Sequence, residues 1–255
     1  MNAIRAEFLK LARSLSWVVV LLLPTAMVLS GVANTLASGE DPEHGWHTMW
    51  LRSVVVHGMA PLPLGIAIIA SLVWRPERQG GNWNALLSGP TSALRIAVAK
   101  TAVIATAAAA MQLVLLGVLT VFGRFVFGLP GLLPGEYLAI SLLIIAASIP
   151  VAAVQSGLSI LLPSFAAPVA CALVASGTSV VLLLADVGAV IAVLPHALLA
   201  RTTQLGTGTF ADPGTIAVAD VPRGVLGQGR ERPRPSREAR RRARPDRVRA
   251  QSDDL

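Results

Sequence analysis

The chain has 255 residues, of which 54% are hydrophobic and only 14% are charged. Soluble domains carry about 25% charged residues, so this composition excludes an ordinary soluble enzyme and indicates a protein built for a lipid bilayer. The formal net charge of +7 comes almost entirely from the C-terminal tail: residues 1–222 carry 10 basic and 9 acidic groups, and residues 223–255 carry 11 and 5. We therefore expect no nucleic-acid binding by the main body of the chain.

Residues 1–14 predict an interfacial elbow helix that leads into the first span. Phe8 and Leu11 are spaced i, i+3 and share one helix face, while Arg5 and Lys10 are available to lipid phosphates as membrane-interface anchors. The apolar run that follows is longer than the 7–15 residues typical of a secretory signal, so we expect it to be retained as a membrane helix.

Long uncharged runs define the spans. A span needs about 20 apolar residues, and the runs at 14–39, 53–74 and 101–123 contain 26, 22 and 23 residues. The run at 137–185 contains 49 residues, enough for two spans and a turn. We therefore predict an all-α, polytopic transmembrane helix bundle with five spans, near residues 15–37, 53–74, 100–123, 137–162 and 167–186.

The distribution of basic residues predicts the orientation of the bundle. Lysine and arginine are concentrated before the first span and in the segment 75–99 after the second span. Because short cytoplasmic loops carry an excess of these residues, we expect both regions to face the cytoplasm of a cell whose plasma membrane holds the chain. Arg95 and Lys100 then serve as further anchors at the membrane interface.

The segment 75–99 contains a short amphipathic helical pattern. Trp83, Leu86 and Leu87 fall at i, i+3 and i+4, so they share one face. Gly89 and Pro90 follow, and together they favour the end of a helix. A helix of this kind in a basic, cytoplasmic loop is well suited to contact a soluble partner.

Two ionisable residues fall inside or at the end of apolar runs. His57 lies in the predicted second span, where it either lines a pathway or forms a structural hydrogen bond. Asp186 is an acid at the end of the long run 137–185, and a charge within a span often marks function. The alternative is that the fifth span ends at Asp186 and that residues 187–200 form a short re-entrant or interfacial helix.

Residues 205–255 differ in composition from the rest of the chain. They begin rich in glycine and threonine and continue as an arginine- and proline-rich stretch without apolar periodicity, a pattern typical of disorder. Three interpretations are open: the tail binds anionic lipid, it binds nucleic acid, or it is a frame-shifted replacement of a sixth span. The predicted domains are thus an elbow at 1–14, a membrane domain at 15–204 and this tail.

The chain lacks the motifs of nucleotide-binding and hydrolytic enzymes. A P-loop needs glycine directly before its lysine, whereas the two lysines here, Lys10 and Lys100, follow Leu9 and Ala99. The single cysteine, Cys171, excludes an internal disulfide and a CxxC metal motif. We therefore predict no catalytic residue, no metal site and no cofactor in this chain.

Several of these residues together resemble a known family. AEFLKLARSLSW near the start and ERQGGNWNALLSGPTSALRIAVAK after the second span are similar to permease subunits of type 2 ATP-binding-cassette transporters, above all those of lantibiotic-immunity and bacitracin-type exporters. The resemblance covers about residues 1–200. The loop positions that match are Glu77, Gly81, Trp83, Leu86, Leu87, Pro90, Arg95 and Lys100. Where the family usually has Ser-Arg after the proline, this chain has Thr-Ser-Ala-Leu-Arg at residues 91–95.

The resemblance implies a six-span permease that pairs with a second permease or a copy of itself and binds separate ATPase subunits, which hold the ATP and magnesium. Glu77, Gly81, Trp83, Leu86, Leu87 and Pro90 would then couple the permease to the ATPase. It implies export of a hydrophobic or peptide substrate, as in antibiotic immunity. The alternative from another class is a membrane-embedded enzyme or a non-transport scaffold, and a neighbouring gene for a P-loop ATPase would favour the permease.

Overall fold

A computed structural model describes residues 16–38, 45–78, 92–185 and 188–205. Within these ranges the chain forms helices and no strand, which confirms the predicted all-α bundle. The predicted elbow at 1–14 and the tail from residue 206 onward lie outside the described residues. In chain order the helices are α1 (Ser16–Ala37), α2 (Trp46–Met59), α3 (Pro61–Arg78), α4 (Ala93–Phe125), α5 (Gly135–Leu161), α6 (Ala166–Leu184), α7 (Gly188–Val193) and α8 (Pro195–Thr203).

Four of these helices, α1, α4, α5 and α6, are each long and apolar enough to cross a membrane, and α2 and α3 together form a fifth candidate. The described part of the chain thus agrees with the five predicted spans. The second span differs in its bounds from the predicted range 53–74. It begins earlier, at Trp46, and bends by 45° where α2 meets α3.

The bend at Ala60 follows from the proline that comes next. A proline disfavours the helical conformation in the residue before it, and Ala60 departs from that conformation in φ, at −141°, while its ψ of −47° keeps a helical value. Pro61 then occupies the first position of α3, where its missing N–H is tolerated. By contrast, Pro24 and Pro150 lie inside helices α1 and α5, which continue through them.

Helix α4 begins seven residues before the predicted start of the third span. Ser92 has an extended backbone and its hydroxyl accepts a hydrogen bond from the backbone N–H of Arg95 at 3.4 Å. This capping satisfies one of the four N–H groups that a helix start leaves without a partner. Arg95 consequently lies in the first turn of α4.

Packing within the bundle is tight, and its outside is apolar. Helix α1 packs against α2 and α4, while α5 packs against α3, α4 and α8. Gly31 of α1 allows close contact, because a Cβ there would lie 3.1 Å from the backbone carbonyl of Arg52. Outward-facing Leu22, Leu142 and Val174 are each about two-thirds exposed, as expected for side chains that contact lipid.

The short helices α7 and α8 replace the single re-entrant or interfacial helix that we considered for residues 187–200. Helix α8 packs against α2, α5 and α6, so it lies within the bundle. Its last residue, Thr203, is fully buried and faces Gly58 of α2, where a larger residue would collide with it. Helix α8 is therefore an integral part of the bundle core.

Candidate functional site

A buried ion pair joins the end of α3 to the start of α4. The ammonium of Lys100 lies 2.8 Å from a carboxylate oxygen of Glu77, and the two residues are 0% and 5% exposed. Glu77 is the penultimate residue of α3, and Lys100 lies two turns into α4. The pair thus joins the two helix ends that flank the connecting segment in the chain.

The same ammonium is held by two further groups of α3. Lys100 donates a hydrogen bond to the backbone carbonyl of Val73 at 2.9 Å and lies 5.1 Å from the centre of the Trp74 ring. The Trp74 indole N–H in turn donates to the Ser156 hydroxyl of α5 at 3.0 Å. The ion pair therefore belongs to a network that fixes α3, α4 and α5 to one another.

The electrostatics of this arrangement favour a single geometry. Removing two charges from water is expensive, and only close pairing with additional hydrogen bonds offsets that penalty. Lys100 meets this condition because a carboxylate, a carbonyl and an aromatic face surround its ammonium. A change that separates α3 from α4 at this level would leave a charge in a poorly hydrated site.

The structure shows contacts for these two residues that we did not predict. We predicted Lys100 at the lipid interface, whereas its side chain is fully buried and its ammonium binds protein groups. Glu77 was predicted to contact a partner, and its carboxylate faces Lys100 inside the bundle. The sequence contained a signal for the pair, because a charge in an apolar helix requires an opposite charge nearby.

Most other predicted contact residues cannot be placed. Gly81, Trp83, Leu86, Leu87 and Pro90 lie outside the described residues, as do Arg5, Lys10 and Asp186. Arg95 is described, and it is exposed in the first turn of α4, where an interface anchor would lie. The coupling and anchoring roles of these residues stay predictions.

His57 lies on a buried polar face of α2. Trp50, Ser53 and His57 are spaced i, i+3 and i+7, so they share one side of the helix, and each is at most 1% exposed. The Trp50 indole N–H, the Ser53 hydroxyl and both His57 ring nitrogens have no hydrogen-bond partner among the described residues. The structural hydrogen bond that we considered for His57 is thus not found within these ranges.

A second polar contact, which sequence reasoning missed, joins α8 to the core. The Gln155 side-chain amide of α5 lies 3.1 Å from the Nε2 atom of His196, and both residues are buried. Gln155 falls in a 49-residue uncharged run, where an isolated glutamine is a signal for a hydrogen bond between helices. This contact fixes the start of α8 against α5.

The described polar groups form contacts between helices. Within the described ranges, no three histidine, cysteine, aspartate or glutamate side chains lie close enough to hold a metal ion. The Glu77–Lys100 ion pair links the end of α3 to α4 on either side of residues 79–91.

Comparison with known proteins gives one match. The sequence model of a family described as ABC-2 family transporter protein matches residues 3–179. The matched region contains α1 to α5, most of α6 and the segment between α3 and α4. No curated protein and no solved structure matches the chain.

Proposed function

The chain belongs to the ABC-2 transporter family, and from this premise we propose that it is the permease subunit of an exporter driven by a separate ATPase. As a family member it is a multi-pass membrane protein and a transport subunit. The proposal adds the direction of transport, the partner and the place where the partner acts. The observation that carries it is the Glu77–Lys100 ion pair, which joins the helix ends that flank residues 79–91 in the chain.

The ion pair supports coupling because it makes α3 and α4 respond together. A partner that presses on the segment between these helices acts on both helix ends at once. Since Lys100 is bonded to Glu77 and Val73, the two ends cannot slide apart without exposing a buried charge to an apolar site. The Trp74–Ser156 hydrogen bond extends the same movement to α5.

Trp83, Leu86 and Leu87 are the proposed contact surface for the ATPase, with Gly81 and Pro90 shaping the segment. A large aromatic residue with adjacent leucines is the composition that dominates binding energy at protein interfaces. Glu77 acts in this proposal as a positioning residue at the base of the segment. The N-terminus and this segment face the cytoplasm, where an ATPase and its ATP and magnesium are available.

The substrate is proposed to be hydrophobic or a peptide. Because the loop sequence resembles that of antibiotic-immunity exporters, a membrane-active antibiotic is the substrate class that we favour. A second permease or a second copy of the chain is the proposed partner within the membrane. In this arrangement His57 is the pathway candidate within the described residues. Its ring nitrogens have no partner among those residues, so a conformation in which α2 moves and water enters would stabilise them.

The test is co-purification with an ATPase: any P-loop ATPase encoded beside the gene for this chain is co-expressed with it. We expect the full chain to retain the ATPase and Trp83→Ala to weaken the complex about 30-fold or more, as for a central aromatic contact. Trp17→Ala is the matched control, because Trp17 is 42% exposed near the start of α1, far along the chain from the segment.

Equal retention of the ATPase by the two variants would contradict the coupling surface. Failure of the unmodified chain to retain any ATPase would contradict the permease proposal and favour the scaffold or enzyme alternative. Labelling of a cysteine introduced at position 83 from outside intact cells would contradict the proposed orientation.

A further inference from the structure

A cavity of about 270 Å³ lies at the same end of the bundle as the Glu77–Lys100 ion pair. It is formed between the last turns of α3, the end of α5 and the connection that leads into α6. This volume is just below the range of about 300–1,000 Å³ that drug-sized ligands occupy. The side chains that define its chemistry are Ser71, Arg75, Ser159, Ser164, Phe165 and Pro168.

Helix α3 contributes a hydroxyl and a guanidinium to this cavity. Ser71 and Arg75 are spaced i, i+4, so they are neighbours on one helix face. Ser71 is 7% exposed, and its hydroxyl has no hydrogen-bond partner among the described residues. Arg75 is exposed at the cavity, which leaves its five N–H donors accessible.

No carboxylate within the described ranges neutralises Arg75. These ranges contain two acidic residues, Glu77 and Glu136. Glu77 binds Lys100, and Glu136 lies in the first turn of α5, at the opposite end of that helix from Ser159. The cavity therefore combines a positive charge with a buried hydroxyl donor.

The start of α6 adds positive potential on the other side of the cavity. Phe165 caps this 19-residue helix without a side-chain hydrogen bond, and the Ser164 hydroxyl accepts from the Ala166 N–H at 3.2 Å. Pro168 has no N–H, so Phe165 and Ala167 supply the remaining N–H groups of the first turn without a partner inside the helix, and the helix dipole favours an anion there. Phosphate groups are common ligands of such helix starts.

The surroundings of the cavity are those of a membrane surface. The cavity lies where α3 and α5 end and α6 begins, which is the level at which spans leave the hydrocarbon core. Leu162 and Phe165 line the cavity, and Phe165 is 49% exposed. Leu161, which precedes Leu162 in the chain, is 76% exposed, so apolar side chains flank the polar groups. A ligand with a charged head and a hydrocarbon body matches this surface.

We propose that the cavity binds the phosphate group of an anionic glycerophospholipid from the adjacent leaflet. Arg75 and Ser71 donate to the phosphate oxygens, the start of α6 faces the same charge, and the acyl chains lie along Leu161 and Phe165. The site is independent of the proposed transport function, because it needs only the membrane protein itself. A free phosphate ion shares the head-group chemistry but not the apolar contacts.

The test is native mass spectrometry of the purified full chain with added phosphatidylglycerol, with phosphatidylcholine, or with inorganic phosphate alone. We expect retention of phosphatidylglycerol in preference to phosphatidylcholine. Arg75→Gln should weaken that binding about tenfold or more, as expected for the loss of a charge-assisted hydrogen bond. The affinity of Arg75→Lys for phosphatidylglycerol should lie between those of the unmodified chain and Arg75→Gln, since lysine keeps the charge and lacks the planar guanidinium.

Arg95→Gln is the reference for general attraction to lipid, because Arg95 is a predicted interface anchor, is exposed at the start of α4, and carries the same charge at the same end of the bundle. General attraction of basic residues to anionic lipid would affect both variants alike. Equal losses for Arg75→Gln and Arg95→Gln would therefore overturn the proposal. Ser71→Ala supplies a second variant without a charge change, and we expect it to weaken binding as well.

The phosphate arm separates the two sources of the anion. Displacement of phosphatidylglycerol only by large excesses of inorganic phosphate supports the lipid, because the acyl contacts then contribute to binding. Tight binding of inorganic phosphate together with no preference for phosphatidylglycerol over phosphatidylcholine would overturn the lipid assignment. Each of these binding measurements is made without an ATPase or a transport substrate. A negative result would therefore overturn the lipid site and leave the permease proposal unaffected.

Discussion

Removal of one partner from the Glu77–Lys100 ion pair should destabilise the bundle far more than removal of both. The two groups are 2.8 Å apart and almost inaccessible to water. At an effective dielectric constant of about 20, charges this close attract by about 6 kcal/mol, most of which offsets the penalty for burying them. Loss of one partner leaves that penalty without the attraction, which destabilises the folded chain by about 3–5 kcal/mol.

The variants are Glu77→Gln, Lys100→Met and the double substitution. Lys100→Met should show the larger loss of unfolding free energy. In Glu77→Gln, the glutamine oxygen and the Val73 carbonyl can both still accept hydrogen bonds from Lys100. A loss of about 3–5 kcal/mol corresponds to a midpoint lowered by about 6–20 °C for a chain of this size. The double variant should unfold within a few degrees of the unmodified chain.

The measurement is thermal unfolding of the purified full chain in mild detergent, analysed as a double-mutant cycle. Glu136→Gln is the control, since Glu136 is an exposed carboxylate at the start of α5. Single variants that melt like this control would refute the reasoning. A double variant whose loss equals the sum of the single losses would show that the two charges do not interact.

Three further substitutions test other contacts. Gly31→Val should lower the unfolding midpoint strongly, because its side chain would meet the Arg52 backbone, whereas substitution of Gly117, which has open space around it, should change the midpoint little. Gln155→Leu should expose α8 to protease, since the His196 contact is lost; unchanged cleavage would argue against that contact. Ser92→Ala should weaken the start of α4 by about 0.5–2 kcal/mol, measured as faster amide exchange in its first turn.

The spans were predictable from the sequence because charge-free length alone decides which segments can cross a bilayer. Their ends were less predictable. Helix α4 extends back to Ser92 because a cap, and not hydrophobicity, sets its start. The break at Ala60 was visible only as nearby prolines, and the sequence did not indicate that Pro61 would interrupt a span that Pro24 and Pro150 do not interrupt.

The candidate site was predicted in part. Glu77 and Lys100 were both singled out, but for contacts with a partner and with lipid rather than with each other. Their pairing depends on the antiparallel return of α4 against α3, which places residues 23 positions apart at one level. The contact between Gln155 and His196 depends in the same way on the path of α7 and α8, which no local pattern determines.

The 45° bend between α2 and α3 also has a mechanical meaning. A straight rod that is pushed at one end moves along its own axis and delivers the stroke to the far side of the membrane. An angled pair divides the same stroke into axial and sideways components of roughly equal size. Since α2 bears His57 and faces Thr203 of α8, a push on the Arg78 end of α3 would move these residues sideways across the interior of the bundle about as far as along its axis.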